Sequence, residues 1–241
     1  MISVVGIGPG LINHLSLKAY EAITTCDVVV GYKTYVGLIK ELIKQQEVFT
    51  TGMRGEVARC QKALELAKQN KSVCLVSGGD SGVYGMAGLM HEIIIDSGID
   101  MNIEIIPGIT AANAAAASLG AAFMHDYVTI SLSDLLTSWS VIEKRLHCAG
   151  MGDFVVAIYN PKSKGRVKHI NKAQDILLQY KDACTPVGIV RNAKRENEQI
   201  EITNLANMCD CEINMSTMLI VGNSKSYVHN SKLITPRGYS L

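Results

Sequence analysis

The stretch Ile2-Ser3-Val4-Val5-Gly6-Ile7-Gly8-Pro9-Gly10 decides the fold. A run of β-branched residues with no charge reads as a buried strand, and the glycines that follow let the backbone turn sharply and approach a ligand with no Cβ in the way. Read alone, the segment fits either a ligand loop or a tight turn at a strand end. A dinucleotide fingerprint would read G-x-G-x-x-G and run straight into a helix. Here Pro9 occupies the loop and the next helical pattern begins only near Ser16.

Further along, the same alternation repeats. Val28 to Val30, Val73 to Ser77 and Ile103 to Ile106 read as further buried strands, with helices expected over 16–25, 56–69, 84–96 and 110–119. Strands alternating with helices imply a parallel sheet covered on both faces. After residues 120–126 a second rhythm starts. Strands are expected at Val128 to Leu132, Phe154 to Tyr159 and Val187 to Val190, and helices near 139–148 and 166–180. The last strands, Gln199 to Thr203 and Met218 to Gly222, have no long helix between them, which predicts antiparallel pairing in a mixed sheet. The reading is two α/β domains, 1–119 and 120–241, with largely parallel sheets.

Composition narrows the function classes. The chain has 241 residues, 48% of them hydrophobic, which suits one large or two small cores and excludes a disordered or fibrous protein. Twenty-three basic residues against 22 acidic ones give a formal charge of +1, so whole-chain basicity gives no argument for nucleic acid. Seven cysteines, an odd and scattered set, point to a reduced compartment rather than a disulfide framework. Cys209 and Cys211 lack a second pair or a flanking histidine, so they read as small buried side chains rather than zinc ligands. The first basic residue is Lys18, and the weakly polar stretch Ala111 to Met124 is shorter than the roughly 20 residues needed to span a bilayer. A cytoplasmic protein with no membrane partner is expected.

Two more loops share the first one's logic. Ser77-Gly78-Gly79-Asp80-Ser81-Gly82-Val83-Tyr84-Gly85 follows a strand and sets a carboxylate among glycines. Asp80 there either meets a ligand amine or hydroxyl or caps the following helix. Pro107-Gly108-Ile109-Thr110-Ala111 again gives a strand, a glycine turn and a hydroxyl at a helix start, where Thr110 also suits an N-cap. Three such loops at the carboxyl edge of one sheet suggest a shared site. None carries a P-loop lysine, so a ligand with an adenosine end and a non-phosphate tail fits better than a nucleotide phosphate.

These three loops resemble those of the tetrapyrrole methylases, S-adenosylmethionine-dependent enzymes of corrin and sirohaem synthesis. Four later segments narrow the likeness. Ser131-Leu132-Ser133-Asp134-Leu135-Leu136-Thr137, Tyr159-Asn160-Pro161-Lys162-Ser163, Gly188-Ile189-Val190-Arg191-Asn192-Ala193 and Thr235-Pro236-Arg237-Gly238-Tyr239 resemble the branch that methylates carbon 17 of precorrin-3B or cobalt-precorrin-3 with contraction of the ring. The match runs essentially end to end. It departs at Ser138, which precedes Trp139 where the branch would place proline, and a different local helix start is expected there.

The resemblance implies a fold of two α/β domains with a ligand cleft between them, a methyl donor held largely by backbone groups, and a homodimer. Carried over position by position, it implicates Pro9, Gly78, Gly79, Asp80, Val83, Thr110 and Ala111 in donor binding, with Tyr159, Asn160, Ala193, Thr217 and Met218 from the second half. Methyl transfer from a sulfonium needs orientation and a dry pocket and no protein-bound metal. Ring contraction moves protons, so an acid or base is expected among Ser131, Ser133, Asp134 and His125, each of which also has a structural explanation. The tetrapyrrole's carboxylates call for local positive charge, offered by Arg54, by Lys162, Lys164, Arg166 and Lys168, and by Arg191, Lys194 and Arg195. The competing readings are a sister enzyme such as the precorrin-4 C(11)-methyltransferase, a ribosomal RNA methyltransferase of the same fold, a nicotinamide-dependent oxidoreductase, and a non-catalytic module that binds the donor. Neutral charge with three phenylalanines and one tryptophan disfavours RNA, and Pro9 disfavours the nicotinamide cofactor.

Overall fold

A computed structural model describes residues 1–240 and divides the chain into two compact units, Met1–Ala111 and Ala112–Leu241. In the first unit five strands, β1 (Ile2–Gly6), β2 (Val28–Tyr32), β3 (Glu47–Thr51), β4 (Val73–Ser77) and β5 (Ile103–Ile106), form an all-parallel sheet in the order β3-β2-β4-β1-β5. Side chains of β1 alternate between two layers. Ile2 and Val4 pack with α3 (Glu56–Lys68) and α4 (Ala87–Asp96). Val5 packs on the other face with α1 (Leu17–Thr25) and α2 (Lys33–Leu38). The Ser16 hydroxyl caps α1 by accepting from the Ala19 N–H at 3.1 Å.

The strand order places the loops. The chain leaves β1 past β4 to β2 with α1 on one face, and leaves β4 past β1 to β5 with α4 on the other, so the two connections cross on opposite faces and both loops emerge at the carboxyl ends of adjacent inner strands. In-register pairing of Gly6 with Ser77 and of Val5 with Ile106 sets the three glycine loops side by side at the carboxyl ends of adjacent strands.

The second unit builds a mixed sheet from β7 (Tyr127–Ser131), β8 (Val155–Tyr159), β9 (Pro186–Arg191), β10 (Gln199–Asn204) and β11 (Thr217–Val221), in the order β10-β9-β11-β8-β7. Only β7 and β8 run parallel, whereas β11 is antiparallel to both β8 and β9. The helices α6 (Trp139–Met151) and α7 (His169–Leu177) bury Ile142, Leu146, Ile170 and Ala173 on one face, against Ile130, Ile158, Ile189 and Leu219. Near the other lies α5 (Ala111–Leu119), whose Leu119 leaves no room for a side chain at Gly188 of β9. That packing explains why the division falls at the start of α5 rather than at residue 120. A small third sheet joins β12 (Tyr227–His229), β13 (Lys232–Ile234) and β6 (Gly120–Ala121).

Several elements differ from the sequence expectation. The pattern over 84–96 begins as bends, and α4 starts only at Ala87, because the Ser81 carbonyl accepts from the Ala87 N–H and Tyr84 is left-handed with φ +53°. The expected helix at 166–180 shortens to α7, because residues 163 and 166 close a two-way backbone pair that holds Arg166 in a turn. Strand β3 and helix α2 have mixed burial and give no clean periodicity. Ser138 sits at the N-cap of α6 with φ −59°, an angle proline would share, and its hydroxyl pairs with Ser140 Oγ at 3.1 Å instead of the helix backbone.

Candidate active site

In the first unit the three loops are welded by backbone. Gly8 and Gly79 exchange hydrogen bonds in both directions, at 3.0 and 2.8 Å. Gly79 needs its left-handed φ of +68° to do so. A Cβ on Gly108 would lie 2.3 Å from the Gly79 carbonyl oxygen and 2.7 Å from the Gly6 carbonyl, so the loops touch only because that position is glycine. Tyr35 of α2 packs against Gly78 and leaves no room for a side chain there.

Asp80 spans this edge. Its Oδ1 accepts from the Gly82 and Val83 N–H groups at 2.8 and 3.1 Å, and its Oδ2 accepts from the Gly108 N–H at 3.0 Å. The carboxylate thus stabilises its own turn and joins the β4 loop to the β5 loop, and the helix after it is not what it caps. Ser81 adds a buried hydrogen bond to the Ile106 carbonyl at 3.2 Å. Pro9, Gly78, Gly79, Asp80, Val83, Thr110 and Ala111 all lie on these three loops or at the start of α5, so the structure collects the whole first-half set at one edge of one sheet.

Arg54 is exposed and left-handed, φ +64°, in the turn after β3. Sequence reading missed its neighbour Arg59, 3% exposed on α3. Arg59 donates to Thr51 Oγ1 at 2.6 Å, to the Gly52 carbonyl at 3.1 Å and to Glu56 Oε1 at 3.0 Å, fixing the Arg54 turn. The available signal was position, since Arg59 lies on the same helical face as Cys60, Ala63 and Ala67.

In the second unit β7, β8 and β9 all point the same way, so Ser131, Tyr159 with Asn160, and Arg191 with Ala193 share an edge. The start of β11 lies there too, where Thr217 pairs with Arg191 and Met218 with Val190. The Tyr159 hydroxyl accepts from the Ala112 N–H at 3.1 Å and satisfies an open donor in the first turn of α5. Asn160, left-handed with φ +49°, donates from Nδ2 to Ser131 Oγ at 3.0 Å, and Ser131 Oγ also accepts from the Ser133 N–H at 3.2 Å. With both accepting positions occupied, the Ser131 hydroxyl hydrogen is free to be donated elsewhere.

Arg166, 7% exposed, donates to the Asn160 carbonyl at 2.9 Å and reaches Ser133 Oγ at 3.5 Å. Asp134 accepts from His169 Nε2 at 2.9 Å, and that bond holds its carboxyl below the ordinary value. Ser131, Ser133, Asn160 and Arg166 therefore form one connected group, and Asp134 pairs beside it with His169. His125 is not part of it. It precedes β7, at the opposite end from Ser131, and its Nδ1 accepts from the Asp126 N–H at 2.8 Å.

Of the other basic candidates, Arg191 pairs with Glu212, and Arg195 lies in the turn after β9 with its N–H bonded to the Asn192 carbonyl at 2.9 Å. The thiols of Cys209 and Cys211 are pushed up to about 11, chiefly by burial. Among the described residues no group of three or more His, Cys, Asp or Glu side chains is placed to hold a metal ion, and no helix is long and apolar enough to cross a membrane.

Comparison with known proteins agrees with this architecture. The family model of the Tetrapyrrole (Corrin/Porphyrin) Methylases matches residues 1–209. A Salmonella typhimurium protein described as a probable cobalt-factor III C(17)-methyltransferase is 48% identical over 241 residues, covering 100% of both chains. A Priestia megaterium cobalt-factor III methyltransferase is 49% identical over 240 residues, 98% of this chain; the chain spans only 44% of that longer protein. Among solved structures, that of the methyltransferase CobJ superimposes with a TM-score of 0.91 at 32% identity, over 98% of this chain and 99% of the other. The chain belongs to the tetrapyrrole methylase family.

Proposed function

We propose that the protein is an S-adenosylmethionine-dependent C-methyltransferase of cobalamin biosynthesis that methylates carbon 17 of a cobalt-containing precorrin-3 ring and contracts the macrocycle. The observation that carries the reading is the 48% identity, over the full length of both chains, with a relative described as a probable cobalt-factor III C(17)-methyltransferase, in a chain whose donor-type loops meet at one sheet edge. The loops fit the donor chemically. They contain no lysine or arginine to select a phosphate, they set the Asp80 carboxylate among backbone groups, and backbone carbonyl oxygens along this edge suit a sulfonium. When bound, S-adenosylmethionine supplies the methyl group.

The residues of this chain orient, exclude water and move protons. In this reading Pro9, Gly78, Gly79, Val83, Thr110 and Ala111 line the donor, and Asp80 holds their loops in register. Ser131 is the proton-handling group, because Asn160 and the Ser133 N–H fill its accepting positions and leave its hydrogen to be donated. No resident metal is required, and cobalt arrives inside the substrate. The protein is proposed to act in the cytoplasm as a homodimer, as the family resemblance implies; native mass spectrometry of the purified protein tests the dimer.

The deciding experiment is anaerobic incubation with S-adenosylmethionine and either cobalt-precorrin-3 or metal-free precorrin-3B, followed by mass spectrometry. Gain of one methyl group on the cobalt form, with the spectrum of a contracted ring, is expected. Methylation of the metal-free ring alone would overturn the cobalt assignment, and methylation of neither would overturn the reaction.

A further inference from the structure

The loop after β7 ends in two apolar residues with nothing to cover them. Leu135 is 66% exposed and Leu136 100% exposed. An isolated exposed leucine is ordinary, but two in succession on a rigid loop beside a polar network are not explained by folding. This loop is rigid at its base. Three side chains of the segment after β8 reach across to it, since Asn160 donates to Ser131, Arg166 approaches Ser133 and His169 bonds Asp134. The two segments are thus joined like a zip, one carrying the leucine pair and the other carrying Lys162, Lys164 and Lys168.

A second observation sets this paired element apart from the rest of the fold. Of the three buried side-chain nitrogens without a hydrogen-bond partner among the described residues, two belong to this zip, Arg166 Nε and His169 Nδ1. Orphaned buried polar atoms carry a desolvation cost of about 1–3 kcal/mol each, which a functional arrangement justifies.

We propose that the Ser131–Ser138 and Asn160–His169 segments form one recognition element for a flat, apolar-faced ring with a carboxylate rim, in which Leu135 and Leu136 lie on the face of the ring, the lysines pair with the rim, and Arg166 and His169 are positioning residues. An amphiphilic surface of this kind matches the chemistry of a polycarboxylated tetrapyrrole, so the inference rests on the proposed function and extends it to named specificity residues. Arg166, assigned by sequence to the substrate, acts instead through Ser133 and Asn160.

The experiment compares wild type with the double variant L135S/L136S, whose changes are at exposed positions and leave the fold intact. The expected result is an acceptor KM raised by about tenfold or more, from the loss of two apolar contacts, with kcat, donor affinity and thermal midpoint unchanged. R166M should raise the acceptor KM in the same way, R166K should restore part of it, and the triple variant should lose no more than the larger single effect, because both act on one surface. An acceptor KM unchanged within about twofold in L135S/L136S would overturn the inference. Equilibrium binding of uroporphyrin III, followed by its fluorescence, separates this from the reaction assignment. If wild type binds that ring tenfold tighter than L135S/L136S yet fails to methylate cobalt-precorrin-3, the recognition element stands and the carbon-17 assignment falls. If both proteins bind it equally, the recognition element falls whatever the turnover.

Discussion

The Asp80 carboxylate accepts a hydrogen bond from the Gly108 backbone N–H at 3.0 Å, across β1, the strand that separates their two loops. One side chain thereby fixes the spacing between two loops that β1 alone holds apart. Replacing it with alanine removes three acceptor bonds to backbone N–H groups, and hydrogen bonds to a charged group contribute about 1.5–3 kcal/mol each where they are well shielded. With Asp80 partly exposed, Asp80→Ala is expected to cost about 3 kcal/mol in urea unfolding and to weaken S-adenosylmethionine binding by at least tenfold in calorimetry. Asp80→Asn keeps one acceptor oxygen and should fall between. Donor affinity unchanged in Asp80→Ala would remove the loops from the donor site.

The backbone contact beneath that bond makes a second, sharper case. A methyl group on Gly108 would meet carbonyl groups of two other loops at 2.3 and 2.7 Å, and backbone does not yield as a flexible side chain does. Gly108→Ala is expected to destabilise by about 3 kcal/mol and to abolish donor binding. Gly88, exposed in α4 with nothing within 4 Å of where a methyl group would stand, is the matched control. Gly88→Ala should stabilise by about 0.5 kcal/mol through helix propensity and leave activity alone. Similar unfolding midpoints for the two variants would contradict the packing argument.

The sheets were legible in the sequence because their strands are buried on both faces and read as unbroken β-branched runs, as at Val28 to Val30 and Val155 to Ile158. The donor loops were legible for the same reason, each standing directly after such a run. What sequence could not supply is which groups meet. Ser131 lies 29 residues before Asn160, and only the β7–β8 register, Ser131 beside Tyr159, makes it a neighbour of Asn160 and Arg166. For Arg59 the sequence offered only its place on the apolar stripe of α3, and its role in holding the Arg54 turn shows only once its partners at Thr51 and Gly52 are seen.

An ion pair at the end of the second sheet predicts a pH dependence. Partial burial raises the Asp153 carboxyl, but hydrogen bonds from the Ser224 N–H and the Lys181 ammonium outweigh it and leave the group below its ordinary value. A depressed carboxyl contributes stability above the unfolded value, about 3.9, and that contribution is lost as pH falls through the lower folded value. Burial lowers the Lys181 ammonium, whose side chain is 1% exposed, so the cost of keeping it charged is relieved as pH rises toward its ordinary value. Asp153→Asn, tolerated at the left-handed φ of +50°, leaves that ammonium buried without its counter-charge, held only by neutral acceptors such as the Phe154 carbonyl at 2.9 Å, and should cost about 3 kcal/mol at pH 7. In urea unfolding across pH, the gap from wild type should narrow below about pH 4 and again toward pH 10. A gap constant across that range would show that the pair is not coupled to folding.

Thiol chemistry reports on both cores at once. Burial pushes the Cys60 thiol up to about 12, and Cys74 lies well above its ordinary value because it donates to Cys26 and is buried. Since the thiolate is the nucleophile, neither is expected to react with Ellman's reagent at pH 8 while the chain is folded. Cys148 and Cys184 are exposed and should account for the fast phase. Cys26 receives the hydrogen bond from Cys74 that lowers it, and its partial exposure places it next. Peptide mapping of the labelled protein should find Cys148 and Cys184 first, with Cys60 and Cys74 modified only in denaturant. Early labelling of Cys74 would mean that the first sheet opens locally at α1, far more readily than its buried strands imply.

Tyr159 separates capping from ligand binding. Its hydroxyl accepts from the Ala112 N–H, one of the first donors of a helix that begins at the end of the third loop. Removing a cap of this kind costs about 1 kcal/mol, so Tyr159→Phe should lower the thermal midpoint by only a few degrees. Because α5 holds the carboxyl end of the loop containing Thr110, the same variant is expected to weaken S-adenosylmethionine binding by about fivefold, a loss comparable to one neutral hydrogen bond. Adding Ala112→Pro, which removes the N–H itself at an early helical position where proline is tolerated, distinguishes the two roles. If the hydroxyl acts through the cap, Tyr159→Phe in the proline background should cost donor binding nothing more. If it contacts the donor directly, the full loss should persist in that background.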